Sequence, residues 1–596
     1  MRLMPMKKSL FSFFCVALAV IAGAALSSCN KDDVIGTEPE PVIILDSETG
    51  IYTVTAGREL TISPAYRYAE NAAFKWTLDG RILALTPEFS YVWNDTGEFF
   101  VTLTVTTSAG SASEEIAINV VEPAIPAISF PIAGDELMLA AGTEYIFAPE
   151  ISNRDEEDFA IQWSVNGNVA GNDDTFLFRA SDTGTYTVTA SVRNTYGSTS
   201  KSIRVEVVEK LPSGLAFPTP SYFSTSTTRY TFAGRPVYLT PMADKLDIET
   251  IQWSVDGVTA ECTGTTFVFT PDSPGEYLIN ASVNHGAATA GVKVVCVDAS
   301  ENDRYRAPTP SSSPRSTKVF EWVPAPGQFI GETVVGGMTG NETTLEAANA
   351  WAERRLENSY YVSLGGFGGY IIVGFDHSIA KKEGSYDFSI TGNAFLNVQT
   401  GAGGSNEPGI VYVMQDVNGN GLPDDEWYEL RGSETGQSGT RQNYAVTYYR
   451  PSAPQMNVQW TDNYGESGCI DYLSAFHRQD YYYPAWIDED SYTLRGTCLL
   501  HRTSQSPTTG FWDNSAFGWG YADNLGSDNL NSGDSVTGDG QKNGFLIENA
   551  MYPDLSHINL SFIDFIMVKT GVNSKAGWLG EVSTEVFGFE DLNIKQ

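Results

Sequence analysis

Three copies of one five-residue motif constrain this chain more than any other feature. Trp76-Thr77-Leu78-Asp79-Gly80, Trp163-Ser164-Val165-Asn166-Gly167 and Trp253-Ser254-Val255-Asp256-Gly257 place their tryptophans 87 and 90 residues apart. Each copy is followed by a second shared element: Thr96-Gly97-Glu98-Phe99, Thr183-Gly184-Thr185-Tyr186 and Pro274-Gly275-Glu276-Tyr277. Alternating runs such as Val101-Thr102-Leu103-Thr104-Val105 come next. Asp/Asn-Gly makes a tight hairpin turn, and period-2 alternation gives a strand one buried face. A tryptophan just ahead of the turn supplies the bulk that fills the space between two sheets. A fixed period of this length predicts tandem copies of one β-unit.

Domains of about 85 residues with this W-x-x-[DN]-G and G-x-[FY] grammar resemble PKD domains, an immunoglobulin-like β-sandwich family. The resemblance spans residues 41 to 298 and divides them into units at 41–122, 123–210 and 211–298. It implies spacing and presentation, a stalk; glycan binding by these domains is the alternative.

The N-terminus reads as an export signal. Arg2, Lys7 and Lys8 precede an apolar run of 17 residues, Leu10 to Leu26, marginal for the roughly 20 that span a bilayer. It ends in Leu26-Ser27-Ser28-Cys29, which resembles the lipobox of bacterial lipoproteins and implies a signal peptide over 1–28 with Cys29 lipidated. The following Asn30-Lys31-Asp32-Asp33, within a linker spanning 29–40, looks like the surface-export tract of Bacteroidetes lipoproteins. An ordinary solvated linker is the other reading of those charges.

A formal charge of −37 repels nucleic acid and anionic membrane surfaces, so neither is an expected partner. Beyond Cys15 and Cys29, four cysteines remain: Cys262, Cys296, Cys469 and Cys498. Disulfides are permitted outside the inner membrane, and pairing within each domain is the simplest connectivity; buried free thiols are the alternative.

Residues 299–318 are rich in proline, serine and charge, which predicts a linker. Residues 319–596 hold eight of the twelve tryptophans. One helix is expected over Asn341 to Asn358, with Asn341 as its cap. Strands are expected at Tyr360–Leu364, Tyr370–Phe375, Tyr386–Ile390, Ile410–Gln415, Asn443–Tyr449 and Ile558–Lys569, giving a larger jelly-roll-like β-sandwich. The whole chain is therefore mostly β: three tandem sandwiches followed by a fourth, larger one.

The sharpest chemical motif is Asp416-Val417-Asn418-Gly419-Asn420-Gly421-Leu422-Pro423-Asp424-Asp425. Oxygen side chains at positions 1, 3 and 5 with glycine at 6 begin an EF-hand-like calcium loop, because the curl points alternate side chains at one hard cation. The Leu422 carbonyl falls at position 7 and Asp424 at position 9, but position 12 is Trp427 in place of a bidentate glutamate, so closure falls to Asp425, Glu426 or another group. An Asn-Gly hairpin without an ion is the alternative. Asp534 and Asp539 form a weaker second acidic loop.

Catalytic signatures are missing: there is no G-x-S-x-G, H-E-x-x-H, P-loop or C-x-x-C, and the five histidines show no metal spacing. His377 reads as a turn or core residue. Aromatic side chains beside polar ones are better candidates for ligand binding: Tyr482, Trp486, Trp512, Trp519 and Tyr521, with Asp523 and Asn524. Burial in the core is the ordinary alternative for each.

The strings SLGGFGGYIIVGFDHSI (363–379), YDFSITGNAF (386–395), EPGIVYVMQDVNGNGLPDDEWYELRGSE (407–434), FGWGYADN (517–524) and GWLGEVSTEV (577–586) resemble BtuH-type surface lipoproteins of Bacteroides vitamin B12 uptake loci. The resemblance implies capture of cobalamin or another extracellular small molecule at the outer membrane, beside a TonB-dependent transporter. Glycan binding with the same architecture is the second expectation, and a glycan-active enzyme or a structural adhesin follows.

Overall fold

The computed structural model describes residues 39–47, 50–154, 158–212, 214–396, 404–474, 477–505, 512–531 and 541–594. The expected signal peptide, Cys29, the acidic tract at 30–33 and the Asp534/Asp539 loop lie outside the described residues.

Each tryptophan motif builds the same hairpin. Asp79, Asn166 and Asp256 have φ of 48–49°, and the glycine after each has φ of 79–81°. Two successive left-handed residues define the tight turn whose twist matches antiparallel strands, and the second place suits glycine because a Cβ would be strained there. The turn side chain adds its own tie: Asn166 Oδ1 accepts the Thr187 N–H at 2.8 Å, and Asp256 Oδ1 that of Leu278 at 2.8 Å.

Behind the turn, Trp76, Trp163 and Trp253 are buried and stack on Phe89, Phe176 and Phe267, with ring centres 4.9, 5.4 and 5.1 Å apart. The five-stranded sheet has one order in all three units. In the first it runs Ile51–Thr55, Ser111–Val121, Gly97–Thr106, Ala73–Leu78, Arg81–Ala84. Only the first pair is parallel, and the same holds for Glu136–Ala140 on Gly197–Val208 and Arg229–Thr231 on Ala288–Cys296. A facing pair, such as Glu144–Phe147 with Phe176–Arg179, closes the sandwich over the tryptophan. Each unit keeps its own apolar core.

The C-terminal part is also a sandwich. A six-stranded antiparallel sheet runs Lys318–Val323, Tyr370–Ala380, Phe562–Thr570, Gly409–Met414, Tyr428–Leu430, Ala550–Met551. A four-stranded sheet runs Ser467–Ile470, Val458–Asp462, Arg441–Tyr449, Ser491–Cys498, and a third of three strands centres on Phe388–Gly392. One continuous core joins the first two, including Ile372, Tyr448 and Leu494. The expected strands are present with shifted ends. The helix forms over Leu345–Glu357, capped by the Thr344 hydroxyl on the Ala347 N–H at 3.2 Å and not by Asn341. It packs through Trp351, which stacks on Trp322 at 4.8 Å.

Three expectations change. The cysteines are free thiols. Cys296 ends the Ala288–Cys296 strand, while Cys262 follows Val258–Ala260 at the opposite edge of that sheet. Cys469 and Cys498 lie on the outer strands of the four-stranded sheet. Cys469 and Cys498 are thus three strand spacings apart, at least about 14 Å, beyond the roughly 7 Å that a disulfide spans between Cα atoms, and two strands separate that of Cys296 from the one that Cys262 follows.

Residues 299–318 are not a free spacer either. Arg304 Nε donates to the Val417 carbonyl at 2.9 Å, Arg306 pairs with buried Asp564 at 3.0 Å, and Arg315 with Glu590 at 3.5 Å.

The three small domains also dock sideways on the large one in place of standing away as a stalk. Glu98 pairs with Arg478, and Asn119 Nδ2 donates to Ser474 Oγ at 2.7 Å. From the second domain, Glu150 accepts from Asn457 Nδ2 at 3.1 Å. From the third, the Tyr222 N–H donates to Tyr370 Oη at 2.8 Å, and Tyr238 stacks on Tyr552 at 4.8 Å. Most of these groups sit in loops or near strand ends, where no periodicity marks a contact face.

Candidate functional site

The loop after Gly409–Met414 curls as its spacing predicts. Asp416 Oδ1 accepts the N–H groups of Gly419 and Asn420 at 2.8 and 3.0 Å, and Oδ2 accepts that of Gly421 at 2.9 Å. Asn418 Oδ1 takes the Asn420 N–H at 2.9 Å, and Asn420 Oδ1 takes that of Leu422 at 2.7 Å. Gly419 and Gly421, at φ of 76° and 74°, supply the left-handed steps of the curl. Both amide nitrogens, of Asn418 and Asn420, donate to Asp424 at 2.9 Å. Asp425 turns its Oδ2 to the Val417 N–H at 2.8 Å. Burial, with Asp424 and Asp416 nearby, pushes the Asp425 carboxyl up to about 8. Asp416 is likewise raised by burial. Asp416, Asn418, Asn420, the Leu422 carbonyl and Asp424 are the groups that would hold a hard cation.

The expected aromatic wall separates into core and surface. Tyr482 is buried, its hydroxyl donating to the His477 carbonyl at 3.0 Å and accepting the Leu473 N–H at 2.9 Å. Trp486 is buried against Trp322 and donates to that residue's carbonyl at 3.1 Å. Tyr521 is buried and accepts the Glu434 N–H at 2.9 Å. Asn524 braces Phe517 through both backbone polar groups, at 2.8 and 3.0 Å. Asp523 accepts the N–H groups of Asn393 and Ala394, each at 2.8 Å, and of Glu585 at 3.0 Å. These five are core residues whose polar atoms make the hydrogen bonds just given inside the protein. Trp512 is half-buried against the small cluster around Phe517 and Tyr521.

Of the seven, Trp519 lines a cavity. This space of about 260 Å³ is walled by Tyr386, Arg431, Trp519, Asp528, Phe545 and Asn549. Asp528 is anchored by the Gly520 N–H at 2.7 Å and by Asn543 Nδ2 at 3.1 Å, and burial raises its carboxyl. Tyr386, Arg431 and Asn549 escaped the sequence reading because they come from separate strands and loops. Tyr386 and Arg431 lie inside two of the strings quoted for the resemblance, 386–395 and 407–434, and Asp528 follows FGWGYADN by four residues, but nothing local marks any of the three as a site residue. A wider cleft of about 620 Å³ opens between the third small domain and residues 297–303, with Phe232, Arg235, Asp298 and Glu301 among its walls.

Among the described residues, Glu407, Asp523 and Glu585 are the acidic trio whose oxygens all lie within 4.8 Å of one another. Asp416, Asp424 and Asp425 do not gather that tightly. Desolvation raises all three carboxyls of the trio, and their mutual repulsion adds to it for Glu407 and Asp523, so they share protons. His377 is buried between Asp376 and Asp591, at 2.6 and 2.9 Å, a core position as its sequence context suggested.

The repeated sandwiches define the class: tandem immunoglobulin-like β-domains joined to a larger β-sandwich. Residues 40–107 match the family model of the PKD-like domain. Solved structures similar to parts of the chain include the fibronectin(III)-like modules of Clostridium thermocellum CbhA, at 12% identity, 28% of this chain, 94% of that chain and a TM-score of 0.18. The titin I-band fragment I67–I69 is similar at 15% identity, 43% and 98% coverage and a TM-score of 0.14. The N-terminal four Ig domains of Dscam1 isoform 7.44 are similar at 14% identity, 43% and 72% coverage and a TM-score of 0.14. No curated protein matches the chain.

Proposed function

We propose that this chain is a lipid-anchored protein of the outer-membrane surface that captures cobalamin and hands it to a TonB-dependent transporter. The lipobox-like Leu26 to Cys29 and the resemblance across residues 363–586 support the location and the ligand. The observation that carries a binding role is the Trp519 cavity, where a half-buried indole faces Arg431, Asp528 and Asn549. An aromatic face with a few polar groups at its rim is what a large amide-bearing ring system requires. The cavity's roughly 260 Å³ falls below the usual range of about 300–1,000 Å³ for an enclosed ligand. A corrinoid would therefore seat one edge in it and lie across the surface.

That same volume favours a second reading, in which one sugar ring of a glycan stacks on Trp519. PKD-like and immunoglobulin-like domains are typically non-catalytic, and no reaction is assigned here.

Calorimetric titration of cyanocobalamin into residues 30–596 tests the first reading. Near-stoichiometric binding that Trp519→Ala weakens supports it. Absence of binding at micromolar protein, with binding to immobilised polysaccharide, replaces it with the second.

A further inference from the structure

We propose that the loop at residues 416–425 is a calcium-class cation site and that its occupancy controls docking of the third small domain on the C-terminal sandwich. The inference goes beyond ligand capture and stands whichever ligand the Trp519 cavity takes.

Loop curvature alone is a turn, and an acidic turn alone is not a site. The independent observation is Asp425. It is 2% exposed, its Oδ2 accepts the Val417 N–H inside the loop, and its Oδ1 has no hydrogen-bond partner. An orphaned carboxylate oxygen in a buried place is costly unless a cation meets it. Asp416 and Asp424 stand beside it. The cation at hand, Arg304, crosses the outside of the loop and donates to the Val417 carbonyl at 2.9 Å. Drawn in around an ion, three carboxylates, two amide oxygens and the Leu422 carbonyl would make a hard, oxygen-rich set that suits calcium better than zinc or copper.

The coupling follows from what brackets the loop. Gln415, the residue before Asp416, accepts from Arg235 Nη1 at 2.7 Å and donates to Glu301 at 2.7 Å. Glu426, the residue after Asp425, pairs with Arg229 Nε at 2.7 Å. Arg229 and Arg235 both belong to the third small domain, and Arg229 opens its strand Arg229–Thr231. The two ends of the loop are therefore two of the handles by which that domain is held. A bound cation neutralises the carboxylates and fixes the ends; without it, their repulsion spreads the loop and displaces Gln415 and Glu426 together.

The test uses residues 30–596, stripped with chelator and returned to about 1 mM free calcium, within the range of extracellular sites. Calorimetry should show calcium bound at this loop. Backbone hydrogen exchange at residues 229–231 and 235–239 should slow on its return. Asp416→Asn risks the fold, because that carboxylate holds three backbone N–H groups. Asp424→Ala leaves this cradle intact and should weaken calcium binding about tenfold or more. Arg229→Met should bind calcium like the parent and lose most of the exchange response. No calcium binding, or binding unchanged by Asp424→Ala, overturns the site. Binding without a change in exchange at 229–239 overturns the coupling. Magnesium acting equally at the same concentration overturns the calcium-class assignment.

Discussion

Arg229 and Glu426 meet across a domain boundary, Nε to Oε1 at 2.7 Å, with side chains only 8% and 23% exposed. Arg229 also donates to the Thr227 carbonyl at 3.1 Å, so the guanidinium is shared between its own domain and its neighbour. Removing it leaves Glu426 desolvated and uncompensated. Arg229→Met should cost roughly 2–3 kcal/mol, less than a fully dry pair because Glu426 keeps some contact with water. Urea denaturation followed by tryptophan fluorescence reads the loss. A change below about 0.5 kcal/mol, the level of an ordinary surface substitution, would show that the pair contributes nothing to docking.

Two aromatic residues separate the binding surface from the core. Trp519→Ala should reduce affinity for the captured ligand while lowering stability only modestly, since the indole is half-buried at a cavity rim. Tyr482→Ala should do the reverse, costing about 3–5 kcal/mol as a large buried ring is lost. Melting curves and ligand titration on both variants check the contrast. Equal effects of the two on binding would remove Trp519 from the site.

Glu581 gives a pH signature. It is buried, its Oε1 accepts the Gln328 N–H at 2.9 Å, and burial pushes its carboxyl up to about 8 from an ordinary 4.5. A raised carboxyl stabilises the folded chain fully below the unfolded value. That contribution is lost as pH rises from about 4.5 through about 8, at up to about 1.4 kcal/mol per pH unit. Glu581→Gln should flatten the fall in melting temperature across this window. A parallel fall in parent and variant would show that Glu581 does not titrate there.

The four thiols should be measurable. Denatured residues 30–596 should react with four equivalents of a thiol reagent, because Cys262, Cys296, Cys469 and Cys498 are all free. In the folded protein Cys262 and Cys469, which are partly exposed, should react ahead of buried Cys296 and Cys498. Fewer than four equivalents after denaturation without reductant would mean that a disulfide has formed.

What was legible in the sequence was whatever depends on near neighbours. Trp163, Asn166 and Gly167 announce a core residue and its turn within five positions, and the structure uses them that way. The Asp416 loop was legible for the same reason, since its side chains bond to N–H groups three to five residues on. The Trp519 cavity was not, because Tyr386, Arg431 and Asn549 reach it from distant segments. Nor could composition tell Trp519 from Trp486: both sit among aromatic and acidic residues, and only the packing sends one to a rim and the other against Trp322. The disulfides failed on sheet order, which separates Cys469 from Cys498 by two intervening strands and Cys296 from the edge strand that Cys262 follows.

The pairing of Glu98 with Arg478 joins positions 380 residues apart in the chain. Each small sandwich closes on contacts within its own stretch, so it can reach its native core while the rest is still being made. The clasp to Arg478 cannot form until about four-fifths of the polypeptide exists. Until then the flanks that later face the large domain stay open to solvent and to other molecules. These flanks carry charged and amide side chains, Glu98, Asn119, Glu150 and Arg229 among them, beside the aromatic Tyr222, Phe223 and Tyr238, and the polar groups lessen the tendency of the waiting intermediate to stick to copies of itself. A docking surface that mixes charges and amides with its aromatic contacts is thus suited to a chain whose last folding step comes long after its first.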